Sequence, residues 1–228
     1  MGITPVKTPV VIKKMFPNYI WDMPVKSKSL YLTFDDGPTP DITDWILQTL
    51  DKFNAKATFF CIGNNVSNHP ELFKHMVTSN HSFGNHTHNH MKGWKTKTKD
   101  YIDNIHLCET TFKSCLPKPE SPDVQNVSLQ KQRTETTSLF RPPYGKMKSK
   151  QSKHILNMGY KIVMWDVLSF DWDQQTPKEV CLNHVITKST EGSIIVFHDS
   201  IKASKNMTYA LPRVLEHFSE KGFRFEAI

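Results

Sequence analysis

The chain is short of most features that would fix its role at a glance. It has four cysteines in 228 residues, and Cys61, Cys108, Cys115 and Cys181 form no Cys-x-x-Cys pair. That excludes a dense disulfide scaffold and a cysteine zinc cluster, and leaves all four reading as structural. Cys108 and Cys115 fall along one expected helix, and Cys61 sits in an apolar run that suits a buried thiol. No apolar stretch approaches the length needed to span a bilayer. No internal repeat is present, and no Gly-x-Gly-x-x-Gly follows the first expected strand, which argues against a dinucleotide-binding sheet. The N-terminus has no apolar export core, and Val6 stands where a myristoylation signal wants Ser or Thr. The expectation is a protein that works inside the cell, or an exported one whose signal has been removed; the compartment stays open, as does the oligomeric state.

Acidic residues are the scarcer charge: 22 Asp and Glu against 29 Lys and Arg, for a formal charge of +7. A basic surface favours acidic partners in general. No helix-turn-helix, zinc-finger or RNA-recognition signature accompanies it, so no nucleic-acid partner is expected. The densest basic stretch, Lys92 to Lys99, reads first as a solvated loop entering a helix, with contact to an acidic substrate as the alternative. Hydrophobic content of 38% and aromatic content of 11% suit one folded core of this length.

Against that background one stretch stands out. Leu30-Tyr31-Leu32-Thr33-Phe34 reads as a buried strand and stops in Asp35-Asp36-Gly37-Pro38. Adjacent carboxylates at a strand end repel each other. They become useful if a cation takes one and a reaction uses the other as a base; a solvated acidic turn is the plainer reading. Further strands are predicted at 57–62, 82–86, 139–141, 160–165, 193–197 and 223–228. Helices are predicted from Asp41, through Pro70–Val77, and over 99–113, 148–158, 177–188 and 209–221. Strands alternating with helices imply parallel β/α units, and seven such strands imply a TIM-barrel-like α/β barrel in a single domain over 29–228. Residues 1–28, with Phe16, Tyr19, Ile20 and Trp21, are expected as an extension packing like a lid over the barrel end. Residues 117–138, polar and poor in large apolar groups, read as an inserted surface loop that shapes a substrate groove or hangs in solvent.

The polar clusters fall just after predicted strands, at the barrel end where catalytic residues gather. His86-Thr87-His88-Asn89-His90 offers imidazoles at i and i+4, which share a face if the segment turns helically. With one carboxylate from the first strand end they make a two-imidazole, one-carboxylate set suited to zinc or a similar divalent ion; surface histidines bonded to their own turn are the alternative. Arg141-Pro142-Pro143-Tyr144-Gly145 ends another strand, and Arg141 can grip a carboxylate with two prongs or form an ordinary salt bridge. Asp171-Trp172 and Phe197-His198-Asp199 follow two more strands. A histidine held by a carboxylate there suits a general acid.

In this order the five clusters resemble the NodB-like polysaccharide deacetylases, carbohydrate esterase family 4, from about Leu30 to the C-terminus. The resemblance implies a distorted (β/α)7 barrel and metal-dependent removal of acetyl groups from a sugar, usually from the amide of N-acetylglucosamine. It implies Asp36, His86 and His90 as metal ligands, for zinc first and cobalt or nickel as substitutes, and Asp35 as general base. It implies Arg141 as the group orienting Asp35, His198 as general acid oriented by Asp171, and the Tyr144 backbone N–H as oxyanion donor. Trp172 and Val196 match the pocket around the acetyl methyl. Two departures stand out. The fourth motif commonly reads Asp-x-x-Asp-Trp, and here Leu168 replaces its first Asp, leaving Asp171 and Asp166 as rival partners for His198. The fifth commonly reads Leu-x-His, and Val196-Phe197-His198 shortens the pocket wall. The substrate expected is an acetylated glycan: chitin oligomers, peptidoglycan or a related polymer. O-acetyl xylan is a sister reading, and a non-catalytic carbohydrate-binding barrel is the reading from another class.

Overall fold

Seven consecutive residues of the opening strand, Ser29–Asp35, are buried, as are all five of the next, Ala57–Cys61. Near-continuous apolar runs of this kind belong to parallel strands covered on both faces. The computed structural model describes residues 4–25, 27–116 and 139–228; the predicted loop at 117–138 lies outside them. Its strands are β1 (Tyr19–Ile20), β2 (Ser29–Asp35), β3 (Ala57–Cys61), β4 (Ser82–Asn85), β5 (Leu139–Phe140), β6 (Lys161–Val163), β7 (Val167–Leu168), β8 (Ile194–His198) and β9 (Arg224–Phe225). Their ladders are all parallel, in the order β1-β6-β5-β4-β3-β2-β8-β7, with β9 paired to the start of β2. With helices between the strands this is the distorted (β/α)7 barrel.

The strand predicted at 160–165 is where the barrel curls shut. Its first part, β6, pairs with β5, and two residues past Trp165 the chain runs on as β7 against β8. The Asp166 amide already donates to Ile194 O at 2.9 Å. One run of chain thus belongs to both halves of the sheet. The N-terminal residues, expected as a lid, extend the sheet: β1 adds a parallel strand beside β6, and Lys7 bridges antiparallel to Val167. Trp21 is buried there with Tyr101, Phe140, Ile155 and Ile162.

Alternation along β2 sorts the core into two layers. Leu30, Leu32 and Phe34 face the helices and join the largest cluster, where Phe34 stacks between Phe59 at 5.0 Å and Phe197 at 6.1 Å. Tyr31 faces the barrel interior with Phe60, Leu139, Val163 and Ile194. Thr33 and Asp35 continue on that inner face toward the C-terminal mouth. Full burial of each such phenylalanine is worth roughly 1.5–3 kcal/mol, so both layers contribute substantially.

The helices are α1 (Val10–Met15), α2 (Ile42–Lys52), α3 (Gly63–Asn68), α4 (Pro70–Thr78), α5 (Thr98–Cys115), α6 (Ser149–Asn157), α7 (Lys178–Lys188) and α8 (Ile201–Glu220). Three differ from expectation, and the first is α1, a helix not foreseen in the N-terminal extension. α3 is an added short turn before Pro70. α8 starts at Ile201 instead of 209; its first two turns escaped the sequence reading because they are rich in Lys, Ser and Asn, and Ala203 and Met207 are the only apolar residues buried there. Pro212 sits inside that helix and further obscures its period. Among the described residues no helix is long and apolar enough to cross a membrane.

Candidate active site

Every site residue predicted from the sequence arrives at the mouth formed by the ends of β2, β4, β5, β7 and β8. Asp35 is the last residue of β2 and Asp36 the next, with a left-handed φ of 86°. That kink turns the two neighbouring carboxylates in different directions. Asp35 is buried and its Oδ1 accepts from Arg141 Nη1 at 2.7 Å. Asp36 instead faces the imidazoles: Oδ1 lies 3.2 Å from His90 Nε2 and 3.8 Å from His86 Nε2.

Arg141 is completely buried. Its guanidinium also donates to Thr33 Oγ1 at 2.7 Å, Val163 O at 3.2 Å and Met164 O at 2.8 Å, and lies 4.1 Å from the Phe60 ring. A buried charge so fully paired is a fixed electrostatic support. Burial alone pushes the Asp35 carboxyl up; the cation on Arg141, with contributions from His86 and His198, outweighs it and holds the pKa below the ordinary carboxylate value.

The 86–90 segment is not helical. Thr87 and His90 take left-handed φ values of 64° and 50°. The Asn104 side-chain oxygen accepts from the His88 and Asn89 amides, and Thr87 Oγ1 accepts from Met91 N, so these turns are held by side chains where a helix would use its own carbonyls. The outcome for the imidazoles matches the expectation from i, i+4 spacing by a different route. His86 Nδ1–H donates to Arg141 O at 2.8 Å, which leaves Nε2 as the free lone pair toward Asp36. Burial lowers the His86 pKa to about 4, against the opposing pull of Asp35, and burial also lowers that of His90. One oxygen and two nitrogens, from Asp36, His86 and His90, lie within 4.8 Å of one another. Neutral imidazoles with an oriented Nε2 and one carboxylate are a donor set that fits a catalytic divalent ion.

Opposite them stands His198, at the end of β8. Its Nδ1–H donates to Asp171 Oδ1 at 2.8 Å and its backbone N–H to Asp171 Oδ2 at 2.7 Å. Burial lowers the imidazole pKa, but the Asp171 charge and hydrogen bond dominate and raise it to about 9. Asp166, the rival partner, is elsewhere: it accepts from Lys7 at 2.9 Å, Lys13 at 2.6 Å and Ser193 at 2.6 Å, and so anchors the N-terminal segment. Trp172 meets the His198 ring edge-on at 4.8 Å. Asp35, Asp36, His86, His90, Tyr144, Leu168, Trp172, Val196 and His198 line one cleft of about 490 Å³. Tyr144 has a φ of 60° in the 143–145 turn, and Gly145 is required behind it because a Cβ there would lie 2.2 Å from the Trp165 ring.

A polysaccharide deacetylase family model matches residues 22–163. The chain belongs to that family. It is 29% identical over 209 residues to a peptidoglycan-N-acetylglucosamine deacetylase of Bacillus cereus, covering 91% of this chain and 90% of that protein. It is also 29% identical over 206 residues to the peptidoglycan-N-acetylmuramic acid deacetylase PdaA of Bacillus subtilis, covering 89% and 71%. A crystal structure of a peptidoglycan N-acetylglucosamine deacetylase in complex with 4-naphthalen-1-yl-N-oxidanyl-benzamide superposes with a TM-score of 0.78 at 28% identity, over 92% of this chain and 91% of that one. This polysaccharide deacetylase is therefore a glycan deacetylase, a hydrolase acting on amide carbon–nitrogen bonds.

Three residues at or beside the cleft were given no role by the sequence. Thr33 shares the Arg141 nitrogen with Asp35, and its place two residues before Asp35 on the same strand face is a usable signal. Leu168, seen only as a missing acid, is an apolar wall of the cleft. Asp199 accepts from Gly37 N at 2.8 Å and Thr43 Oγ1 at 2.7 Å, tying the end of β8 to the Asp35-Asp36 turn. Burial, against those hydrogen bonds, raises its pKa to about 7.

Proposed function

We propose that the protein is a metal-dependent N-deacetylase of N-acetylglucosamine-containing glycans, with peptidoglycan as the first substrate to test. The observation that carries this is the division of Asp35 and Asp36, one bound to a buried arginine and the other to two imidazoles. Asp36, His86 and His90 would hold a divalent ion, zinc first, with cobalt or nickel as replacements. Such an ion, when bound, polarises a carbonyl oxygen and makes water acidic enough to act as a nucleophile near neutral pH.

The remaining work falls to the chain's own groups. Arg141 keeps Asp35 ionised, so that Asp35 takes a proton from water as it adds to the acetyl carbon. The Tyr144 amide N–H is the donor proposed for the oxyanion that develops, and Leu168, Trp172 and Val196 enclose the methyl. His198, protonated at neutral pH and held by Asp171, gives its proton to the departing amine. An amide nitrogen leaves poorly without that proton, whereas an ester oxygen needs it less. The His198–Asp171 pair serves either leaving group, so the amide is chosen over the O-acetyl ester on the N-acetylated glycans named for the relatives. The relatives named for peptidoglycan support the choice of polymer.

Acetate release from peptidoglycan, chitin oligomers and acetylated xylan, each with and without a chelator, tests the proposal. Release from an N-acetylated glycan that stops on chelation is expected. Release from xylan alone, or release untouched by chelator, overturns it.

A further inference from the structure

The last strand of the sheet path, β7, does not end on a bare edge. The Leu168 amide donates to Val6 O at 2.8 Å and the Thr8 amide to Asp166 O at 2.8 Å, so residues 6–8 run antiparallel along it. β7 runs toward the mouth, and an antiparallel neighbour carries its lower-numbered residues the same way. Thr4 arrives there, exposed, and lines the cleft together with Leu168, Ser200 and Lys202. We propose that Thr4 is a specificity-determining residue whose hydroxyl bonds the glycan beside the acetyl pocket, and that Asp166, acting through Lys7, is the positioning residue that holds it there. The inference rests on the deacetylase reading above and adds to that site a contact from outside the strands whose ends form the mouth.

Asp166 has no part in the acid–base work above, yet it is buried, and a buried carboxylate persists only with partners. Its Oδ2 accepts from Lys7 Nζ at 2.9 Å and Ser193 Oγ at 2.6 Å, and its Oδ1 from Lys13 Nζ at 2.6 Å. Lys7 Nζ also donates to Lys188 O at 2.8 Å, on the last residue of α7, where the carbonyl end of a helix favours a cation. Thr8 Oγ1 donates to Trp165 O at 2.8 Å, and Trp165 itself lines the cleft. One buried acid thus fastens the start of the chain to the inner edge of β7 and to α7.

The placement suits a sugar contact. Leu168 supplies the apolar wall of the cleft, and Thr4, toward solvent on the neighbouring segment, supplies a hydroxyl that both donates and accepts, as sugar hydroxyls do. A group fixed in advance loses little freedom on binding. Loosening the segment moves that ordering cost into substrate binding. The groups that handle the proton, Asp35 and His198, are held by Arg141 and Asp171, so they are untouched by it. The effect therefore belongs in KM and not in kcat.

The test is a double-mutant cycle on Thr4 and Lys7, read as kcat and KM for acetate release from the N-acetylglucosamine tetramer. Thr4→Ala should raise KM about two- to tenfold, the range for one hydrogen bond, with kcat kept and Thr4→Ser close to wild type. Lys7→Met should raise KM as much, with Lys7→Arg recovering most of it. The double variant should be no worse than either single one, because Lys7 acts through Thr4. Asp166→Asn should match Lys7→Met; where it fails to fold, the cycle on the two exposed or half-exposed residues still decides. Binding of the same tetramer to zinc-loaded Asp35→Asn protein, with and without Thr4→Ala, reads the contact without turnover. An unchanged KM and affinity in Thr4→Ala overturns the contact, and additive effects in the cycle overturn the positioning role. Absence of acetate release by wild-type enzyme from every glycan would instead overturn the deacetylase reading, a result distinct from either.

Discussion

Arg141 and Asp35 form an ion pair at 2.7 Å with both partners buried, Arg141 completely so. The pair joins the end of β2 to the end of β5 and sets the charge of the proposed base. Breaking it by removing one partner leaves the other charge stranded. Arg141→Met should therefore cost about 3–5 kcal/mol in urea unfolding. Asp35's folded pKa is depressed, so the pair's contribution is present above the unfolded carboxyl value and is lost as pH falls through the folded one. The variant should lose that acid-side dependence and, where it folds, show its acid rate limb at higher pH. A stability within experimental error of wild type would contradict the role given to Arg141.

His198 sets the other limb. Its folded pKa, raised to about 9 from an ordinary imidazole value, places its stabilising contribution fully present below the unfolded value and lost as pH rises through about 9. The rate should decline through that same range because the acid loses its proton. Asp171→Asn removes the charge that raises the pKa and leaves the burial that lowers it, so the alkaline limb should move to or below the ordinary imidazole range. NMR titration of the His198 ring checks the assignment independently of turnover.

His86→Ala or His90→Ala removes one of three ligands. Metal affinity should fall by at least the roughly 10–100-fold that loss of an outer partner costs. Metal content after dialysis, read by elemental analysis, is the measurement. Wild-type stoichiometry in both variants would remove the cation site.

Gly37→Ala probes the turn behind Asp36. The added Cβ would lie 1.7 Å from Asp199 Oδ2, so either Asp199 or the turn must move. A loss of about 1–3 kcal/mol is expected from such overpacking, with weaker metal binding because Asp36 shifts with the turn. An unchanged melting midpoint would show that Asp199 does not hold this turn.

Much of the site was legible in the sequence because parallel strands place their C-terminal neighbours on one rim. The buried runs ending at Asp35, Phe140 and Phe197 announced where Asp35-Asp36, Arg141 and His198 would meet. Side-chain pairing across the barrel was not legible. Leu168 in place of an acid left Asp171 and Asp166 as rivals for His198, and only the turn through Phe170 brings Asp171 beneath the ring while two lysines claim Asp166. The His86–His90 segment looked helical from its spacing, yet contacts from Asn104, distant in sequence, decide its shape. Strand β1 escaped notice because a two-residue strand has no period of its own. The first turns of α8 were hidden by polar residues on its exposed face.

The measurement that bears most directly on the account compares Asp35→Asn with Asp36→Asn, reading bound metal and acetate release on the same samples. The account predicts that Asp35→Asn keeps its metal and releases no acetate, while Asp36→Asn loses both. Acetate release at wild-type rate by Asp35→Asn, or full metal occupancy in Asp36→Asn, would contradict the division of the two carboxylates.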